Sequence, residues 1–243
     1  MVADYAKLSP FVQMIFGFYG LLSLCRADSG TFGGVDMDVS RRFFLQTGVI
    51  LGSFFLGGCE AEPDVDIQTG ANGLYVQPWF EDGFLDLKDE LAAAHHEGKI
   101  LTLLFEQAGC PYCLEMHKVN FMAPSIKDFM VKNFRVIQLD IKGSREVTDF
   151  AGQAVSEAQF AKQWGVHFSP TVSFLPREAT RVVGQKGRAA EAFRLTGFWK
   201  AFHFETVLHF VHSGSYKNDD LQRFLNDRLD RLRSEGKNIK VWD

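Results

Sequence analysis

This chain is poor in the features that would staple, interrupt or anchor it. It carries four cysteines and seven prolines in 243 residues, too few thiols for a scaffold built on disulfides. Its apolar stretches, 11–24 and 47–58, fall short of the about 20 residues that a membrane span requires. It has no run of lysine and arginine and no internal repeat, and its net charge is −4. The electrostatic footprint of a nucleic-acid binder is therefore missing, whereas so small a charge argues nothing about a substrate. What the chain has in excess is phenylalanine, 24 residues against four tryptophans and five tyrosines. Core and helix faces account for these without a cofactor box.

The most informative junction is the apolar run Ile100-Leu101-Thr102-Leu103-Leu104-Phe105 followed by Cys110-Pro111-Tyr112-Cys113. The run reads as a buried strand and the cysteines as the first turn of a helix leaving it. A thiol at a helix N-terminus faces unpaired backbone N–H groups and the positive end of the dipole, which favour thiolate. The ordinary pKa of about 8.5 can fall there to roughly 3.5–7.5. Pro111 suits the start of a helix, having a compatible φ and no N–H to satisfy. Cys110 then reads as nucleophile and Cys113 as resolving thiol. A bare pair of this spacing also resembles half a zinc site; the strand before it and the helical pattern after it favour the redox dithiol. A second element is Val166-His167-Phe168-Ser169-Pro170-Thr171-Val172-Ser173-Phe174-Leu175, in which a proline opens an apolar strand and is confined to an edge or first position.

These stretches resemble the thioredoxin superfamily over roughly residues 80–232, and within it the exported thioredoxins called SoxW that accompany bacterial sulfur oxidation. The resemblance is carried by Phe105-Glu106-Gln107-Ala108-Gly109 before the cysteines, Met116-His117 after them, and Trp164-Gly165-Val166 leading to Pro170-Thr171. It implies an α/β fold: a three-layer sandwich with a central mixed sheet and helices on both faces, here with an extra C-terminal helix. It implies that Pro170 is cis and faces the dithiol, so that Ser169, Pro170 and Thr171 bind an extended substrate. Two positions depart from the family. The tryptophan before the first cysteine is Gly109. The buried acid six residues before that cysteine is replaced by Leu104, so proton handling for Cys113 must differ. Glu106 is a candidate base, or alternatively a partly exposed glutamate at a strand end.

The N-terminal part decides the compartment. Ser40-Arg41-Arg42-Phe43-Phe44-Leu45 and the short apolar segment behind it match a twin-arginine export signal, with Arg41 and Arg42 as its key residues. Leu56-Gly57-Gly58-Cys59 resembles a lipobox, which makes Cys59 the expected lipid anchor; the alternative is ordinary cleavage near Ala61. Residues 1–36 are either an extension upstream of a true start at Met37, or a long n-region or second apolar anchor. The domain plan is thus 1–36 extension, 37–59 signal, 60–78 linker, 79–235 thioredoxin-like domain and 236–243 tail. A mature part of about 160 residues suits one domain.

Within it, helices are expected at 85–97, from Pro111 until Pro124 interrupts, at 125–133 with Ser125 as N-cap, and at 156–163. Strands are expected at 100–106, 135–141, 171–175 and 193–198, the last two paired, with a polar insertion at 142–155. Two C-terminal helices follow, one burying Phe204, Val207, Leu208 and Val211, the other Leu221, Phe224, Leu225, Leu229 and Leu232. The alternating Arg and Asp of the last helix read as a solvated face. His117, one turn after Cys113, is expected to be an exposed helix histidine, with a thiolate-tuning or metal-ligating role as the alternative. His95, His96, His203, His209 and His212 read as surface residues.

The resulting expectation is an exported, periplasmic thiol–disulfide oxidoreductase tethered through Cys59. It would need no metal and no cofactor beyond the Cys110–Cys113 disulfide. The resemblance implies a periplasmic substrate protein carrying a thiol or disulfide, electrons from a membrane donor resembling CcdA, no nucleic-acid partner, and membrane contact only through signal or lipid. Two alternatives stand beside it. One is an oxidase resembling DsbA, since potentials on such folds span roughly −270 to −120 mV. The other is a copper or zinc metallochaperone using Cys110, Cys113, His117 and Met116.

Overall fold

A computed structural model describes residues 67–182 and 184–241. The expectations for Arg41, Arg42, Cys59 and residues 1–66 as a whole lie outside the described residues. Strand β1 (Ile100–Glu106) is buried at all seven positions, as the unbroken apolar run requires of a central strand covered on both faces. It pairs in parallel with β2 (Phe134–Asp140), Ile100 opposite Phe134 and Glu106 opposite Asp140. On its other side it pairs antiparallel with β5 (Thr171–Phe174), which pairs antiparallel with β6 (Phe193–Thr196). The sheet order is β2-β1-β5-β6, and the expected pairing of the last two strands is present.

Alternation along β1 sends its side chains into two cores. Leu101, Leu103 and Phe105 join Ile137 and Leu139 under α1 (Leu87–His96) and α4 (Glu157–Gln163), with Leu87, Leu91, Phe160 and Trp164 among the residues covering them. Ile100 and Leu104 join Val136, Val172, Phe174 and Leu195 on the opposite face. There they meet Met116 and Phe121 of the dithiol helix, Ile126 and Met130 of α3 (Pro124–Asn133), and Phe204, Val207, Leu208 and Val211 of α5 (Ala201–His212). The result is the three-layer α/β sandwich expected, extended at its C-terminus by α6 (Leu221–Ser234).

Local signals explain most boundaries. Asp86 caps α1 by accepting from the backbone N–H groups of Lys88 and Asp89. Ser156 caps α4 and, with Gln159, forms the reciprocal capping box. The polar insertion folds into a hairpin of β3 (Glu146–Thr148) and β4 (Ala154–Ser156). Its turn is held by the Asp149 carboxylate, which accepts from the N–H groups of Ala151 and Gln153, both at 2.8 Å.

Three expectations need correction. Ser125 is not the cap of α3: Ala123 holds that position and Pro124 occupies the first turn, where a residue lacking an N–H costs the helix nothing. The stretch assigned to the linker packs on the domain from residue 67 onward. Leu74 is fully buried, and the Glu81 N–H donates to the Val136 carbonyl at 2.9 Å along the free edge of β2. Arg135 ties this lead-in and α1 to β2 through Glu81, Glu90 and Glu97 at 3.1, 2.6 and 2.8 Å. In α6, Arg228 is buried and donates to Glu205 of α5 at 2.9 Å, so the charged side of that helix is not wholly solvated.

His209, on α5, packs its ring 4.2 Å from that of Phe129. Burial, helped by the Arg228 charge and opposed by Glu205, pushes its imidazole down from 6.5 to about 4. The folded state then holds His209 neutral where the unfolded chain protonates it, so this group withdraws stability as pH falls from about 6.5 towards 4. The urea midpoint is expected to drop between near-neutral pH and about pH 5, and to drop less in His209→Gln. Parallel pH profiles for the two proteins would disprove the assignment.

Candidate active site

The end of β1 aims the chain at the site. After Glu106 a short loop runs to Gly109, whose φ of +71° lies in the left-handed region. Only glycine adopts that region without a Cβ penalty, which accounts for glycine where the resembling family has tryptophan. Cys110 follows as the N-cap of α2 (Pro111–Glu115), its Sγ accepting from the N–H of Cys113 at 3.1 Å. Pro111 takes the first helical position as expected. Cys110 and Cys113 form a disulfide with their Cα atoms 5.2 Å apart.

The second element meets the first. The Ser169–Pro170 bond is cis, and the Ser169 carbonyl oxygen lies 3.7 Å from Cys110 Sγ. The Ser169 hydroxyl reaches the same sulfur at 3.5 Å. Pro170 and Thr171 are buried beneath, and the Thr171 hydroxyl donates to the Phe168 carbonyl at 2.7 Å. The catalytic and substrate-binding residues expected from sequence, Cys110, Cys113, Ser169, Pro170 and Thr171, thus lie together; the export and lipid residues Arg41, Arg42 and Cys59 lie outside the described residues. The two sulfurs are recessed: Cys110 is 2 % and Cys113 0 % exposed. Two aromatic side chains that sequence reasoning passed over belong to these two segments, Tyr112 at 63 % and Phe168 at 69 % exposure. The available signal was position, one inside the dithiol turn and the other two residues before Pro170.

Behind the sulfurs the exposed reading fails for two residues. Glu106 is not a partly exposed strand end but 1 % exposed, and His117 is 0 % exposed. After Glu115 the dithiol helix widens into a π-helical segment, Met116–Phe121. The extra residue in that turn lets Met116, His117, Asn120 and Phe121 all face inward. His117 Nε2 lies 3.2 Å from Glu106 Oε2, and its Nδ1 lies 3.1 Å from the Gln77 amide nitrogen. The Gln138 amide donates to Glu106 Oε2 at 2.5 Å and to the Tyr75 carbonyl at 2.6 Å. Both ring nitrogens of His117 are therefore engaged. Among the described residues, no group of three or more His, Cys, Asp and Glu side chains is arranged to hold a metal ion.

Ser169 supplies a measurable test of the site's electrostatics. Its hydroxyl is positioned to donate to a Cys110 thiolate, and a net hydrogen bond is worth about 0.5–1.5 kcal/mol. Ser169→Ala is expected to slow alkylation of reduced Cys110 near pH 6 by roughly two- to tenfold, with the gap closing at high pH where the thiol is fully ionised. An unchanged pH profile of alkylation would show that the hydroxyl does not favour the thiolate.

Comparison with known proteins places this geometry. No curated protein sequence matches the chain. Among solved structures it is similar to a thioredoxin-fold protein from Helicobacter pylori, at 20 % identity over 55 % of this chain and 81 % of that one, with a TM-score of 0.42. It is similar also to the oxidised C-terminal domain of DsbD from Neisseria meningitidis (18 % identity, 53 % and 97 % covered, TM-score 0.36). A third is the periplasmic thioredoxin SoxS from Paracoccus pantotrophus (19 %, 48 % and 99 % covered, TM-score 0.30). The family model described as Thioredoxin-like domain matches residues 87–212, more than half of the chain, and takes in β1, the cysteine pair and the Ser169–Pro170 loop. The chain belongs to the thioredoxin-like domain family and, with its Cys110–Cys113 disulfide, is a redox enzyme of the thiol–disulfide oxidoreductase type.

Proposed function

We propose that this protein is an exported oxidoreductase that reduces disulfides of periplasmic proteins through Cys110 and Cys113, with a role like that of the SoxW thioredoxins in sulfur oxidation. The observation that carries the reading is the cysteine pair capping a helix beside the Ser169–Pro170 loop, with Cys110 as the sulfur in contact with that loop. The Cys110 thiolate attacks one sulfur of the substrate disulfide, forming a mixed disulfide and releasing the other sulfur as thiolate. Cys113 then attacks Cys110, the mixed disulfide breaks, and the second substrate sulfur leaves with its electron pair. Two electrons have passed from dithiol to substrate, and no further cofactor takes part.

Ser169 and Thr171 offer backbone to an extended segment, while the exposed rings of Tyr112 and Phe168 offer apolar contact. Regeneration takes two electrons from a membrane donor resembling CcdA. Delivery to the periplasm rests on the Arg41-Arg42 signal, and tethering rests on Cys59. Net direction follows from the reduction potential of the pair. A value near that of thioredoxin, about −270 mV, supports the reductase, and one near −120 mV would assign the oxidase instead.

The mixed disulfide gives the direct test. Cys113→Ser is expected to accumulate reductant-sensitive adducts with periplasmic proteins, because Cys110 has no resolving partner. Equal recovery of adducts from Cys110→Ser would reverse the assignment of nucleophile.

Export is tested separately. Changing Arg41 and Arg42 together to Lys is expected to hold the precursor in the cytoplasm, and Cys59→Ala to release the mature protein from membranes. Periplasmic delivery that survives the double change would rule out the twin-arginine route, and lipid labelling that survives Cys59→Ala would rule out the anchor.

A further inference from the structure

A cleft of about 850 Å³ opens between the loop that follows β6 and the C-terminal helix α6. Phe198, Trp199 and Phe202 form one wall, and Leu221, Leu225 and Leu229 of α6 form the other. Its size lies within the range of about 300–1,000 Å³ that binding pockets occupy. The family match ends at residue 212, so the α6 wall stands outside the matched domain.

Two hydrogen bonds fasten this cleft to the active site. The Gly197 N–H donates to the Pro170 carbonyl at 2.8 Å, and the next residue, Phe198, already lines the cleft. The Asn120 amide, on the widened part of the dithiol helix, donates to the Trp199 carbonyl at 2.9 Å. Thr196 is the register partner of Thr171, so the loop into the cleft starts one strand spacing, about 4.8 Å, from the end of β5. An extended segment rises about 3.3 Å per residue. Held at residues 169–171, it reaches the cleft a few residues from its cysteine.

The walls are apolar and the free charge at the rim is positive. The His203 ring stands edge-on to Trp199 and Phe202, at centroid distances of 6.3 and 5.5 Å. Burial lowers its imidazole below the ordinary 6.5, which keeps it neutral at pH 7. Asp220 is the only acid in the lining among the described residues. It is engaged as the N-cap of α6, accepting from the N–H groups of Gln222 and Arg223 at 2.9 and 3.2 Å. Lys200 and Arg233 also line the cleft, are exposed, and form no ion pair among the described residues.

Resting on the thiol–disulfide reading above, we propose that this cleft is a subsite for the substrate protein, taking a bulky apolar side chain a few residues from the substrate cysteine and an acidic side chain at Lys200 and Arg233. Two observations select this occupant. Continuity with the Ser169–Pro170 loop favours a polypeptide already held there over a free amphiphile or a second copy of this chain. The two cations favour an acidic segment over a basic one.

The experiment uses the reduced full-length protein and two short peptides, each carrying one cysteine as a mixed disulfide with thionitrobenzoate. One peptide has Leu and Glu around the cysteine; the other has Ser and Lys. Release of the coloured thiol at low peptide concentration gives the apparent second-order rate. The wild type is expected to prefer the Leu–Glu peptide by about tenfold, and the double variant Lys200→Glu, Arg233→Glu to reduce that preference by about three- to tenfold, as two rim charge pairs allow. Both side chains are exposed, so the fold does not depend on them. Leu229→Asn should slow the Leu–Glu peptide alone. Alkylation of Cys110 by a small reagent should stay within about twofold in both variants, since a rim charge acts on the partner it meets.

Equal rates for the two peptides, or a preference unchanged in the double variant, would overturn the proposal. Dodecanoate that quenches tryptophan fluorescence and is displaced by neither peptide would overturn it in favour of a free amphiphile. A dimer that the double variant dissolves would overturn it in favour of a second copy. Should the wild type reduce neither peptide, the function proposed above fails, and the cleft is judged on equilibrium binding of the same peptides, with Ser for Cys, to the oxidised protein. There a Leu–Glu preference supports the subsite and equal affinities overturn it.

Discussion

Burial of β1 on both faces is the constraint on which the rest of the structure depends. A strand with seven consecutive buried residues can lie only in the middle of a sheet covered by helices on each side. Its parallel neighbour β2 and antiparallel neighbour β5 fix its direction, and its C-terminal end therefore opens at one rim of the sandwich. The loop after Glu106, the left-handed Gly109 and the cap at Cys110 follow within four residues. The same β1 carries the register that sets Thr171 opposite Phe105, which brings the Ser169–Pro170 turn to the sulfur. The two parts of the site, 59 residues apart in sequence, meet because they are the ends of adjacent strands.

The second constraint is the need to satisfy polar groups inside a layer built from phenylalanine and leucine. The π-helical segment turns both His117 and Asn120 inward, and each finds a partner: His117 with Glu106 and Gln77, Asn120 with the Trp199 carbonyl at 2.9 Å. The rings of Tyr75, Phe80 and Phe121 stand 5.0–5.8 Å from the imidazole. Apolar walls of this kind lower the local dielectric, which strengthens the bonds that are made and raises the cost of those that are not. The lead-in residues 75–80 supply several of these walls and one of the donors. They belong to the site as much as to the edge of the sheet.

Sequence pattern carried the fold well where one signal sufficed. The apolar run at 100–106, the cap at Ser156 and the paired strands 171–174 and 193–196 are local patterns with one structural solution. The cysteine pair and the proline opening a strand were also legible as distinctive patterns, and the fold sets these two elements side by side.

What it did not carry depends on contacts between distant segments. Glu106 alternates with Leu104 and so belongs to the dithiol-helix face, but nothing local says whether a strand-end glutamate meets water or a histidine. The stretch 67–78 carries Gly70, Asn72 and Gly73, lacks an apolar period and follows the acidic residues of 60–66, so it reads as a tether. One buried leucine, a side-chain donor and a few backbone bonds are enough to dock it. The widening at Met116 leaves no mark in the apolar period, since His117 and Asn120 occupy inward positions that a hydrophobic count treats as outward.

The exposure of the site follows the opposite logic from its interior. Cys110 shows almost no surface, while Tyr112 and Phe168 beside it are held in water with little of their own structure to cover them. Isolated exposed aromatics need no explanation, but Tyr112 lies in the dithiol turn and Phe168 directly before the Ser169 that contacts Cys110. A small thiol reagent gains little from such a rim and must still reach a recessed atom. On the function proposed above, such exposed rings would add binding to a disulfide carried on a protein more than to a free one.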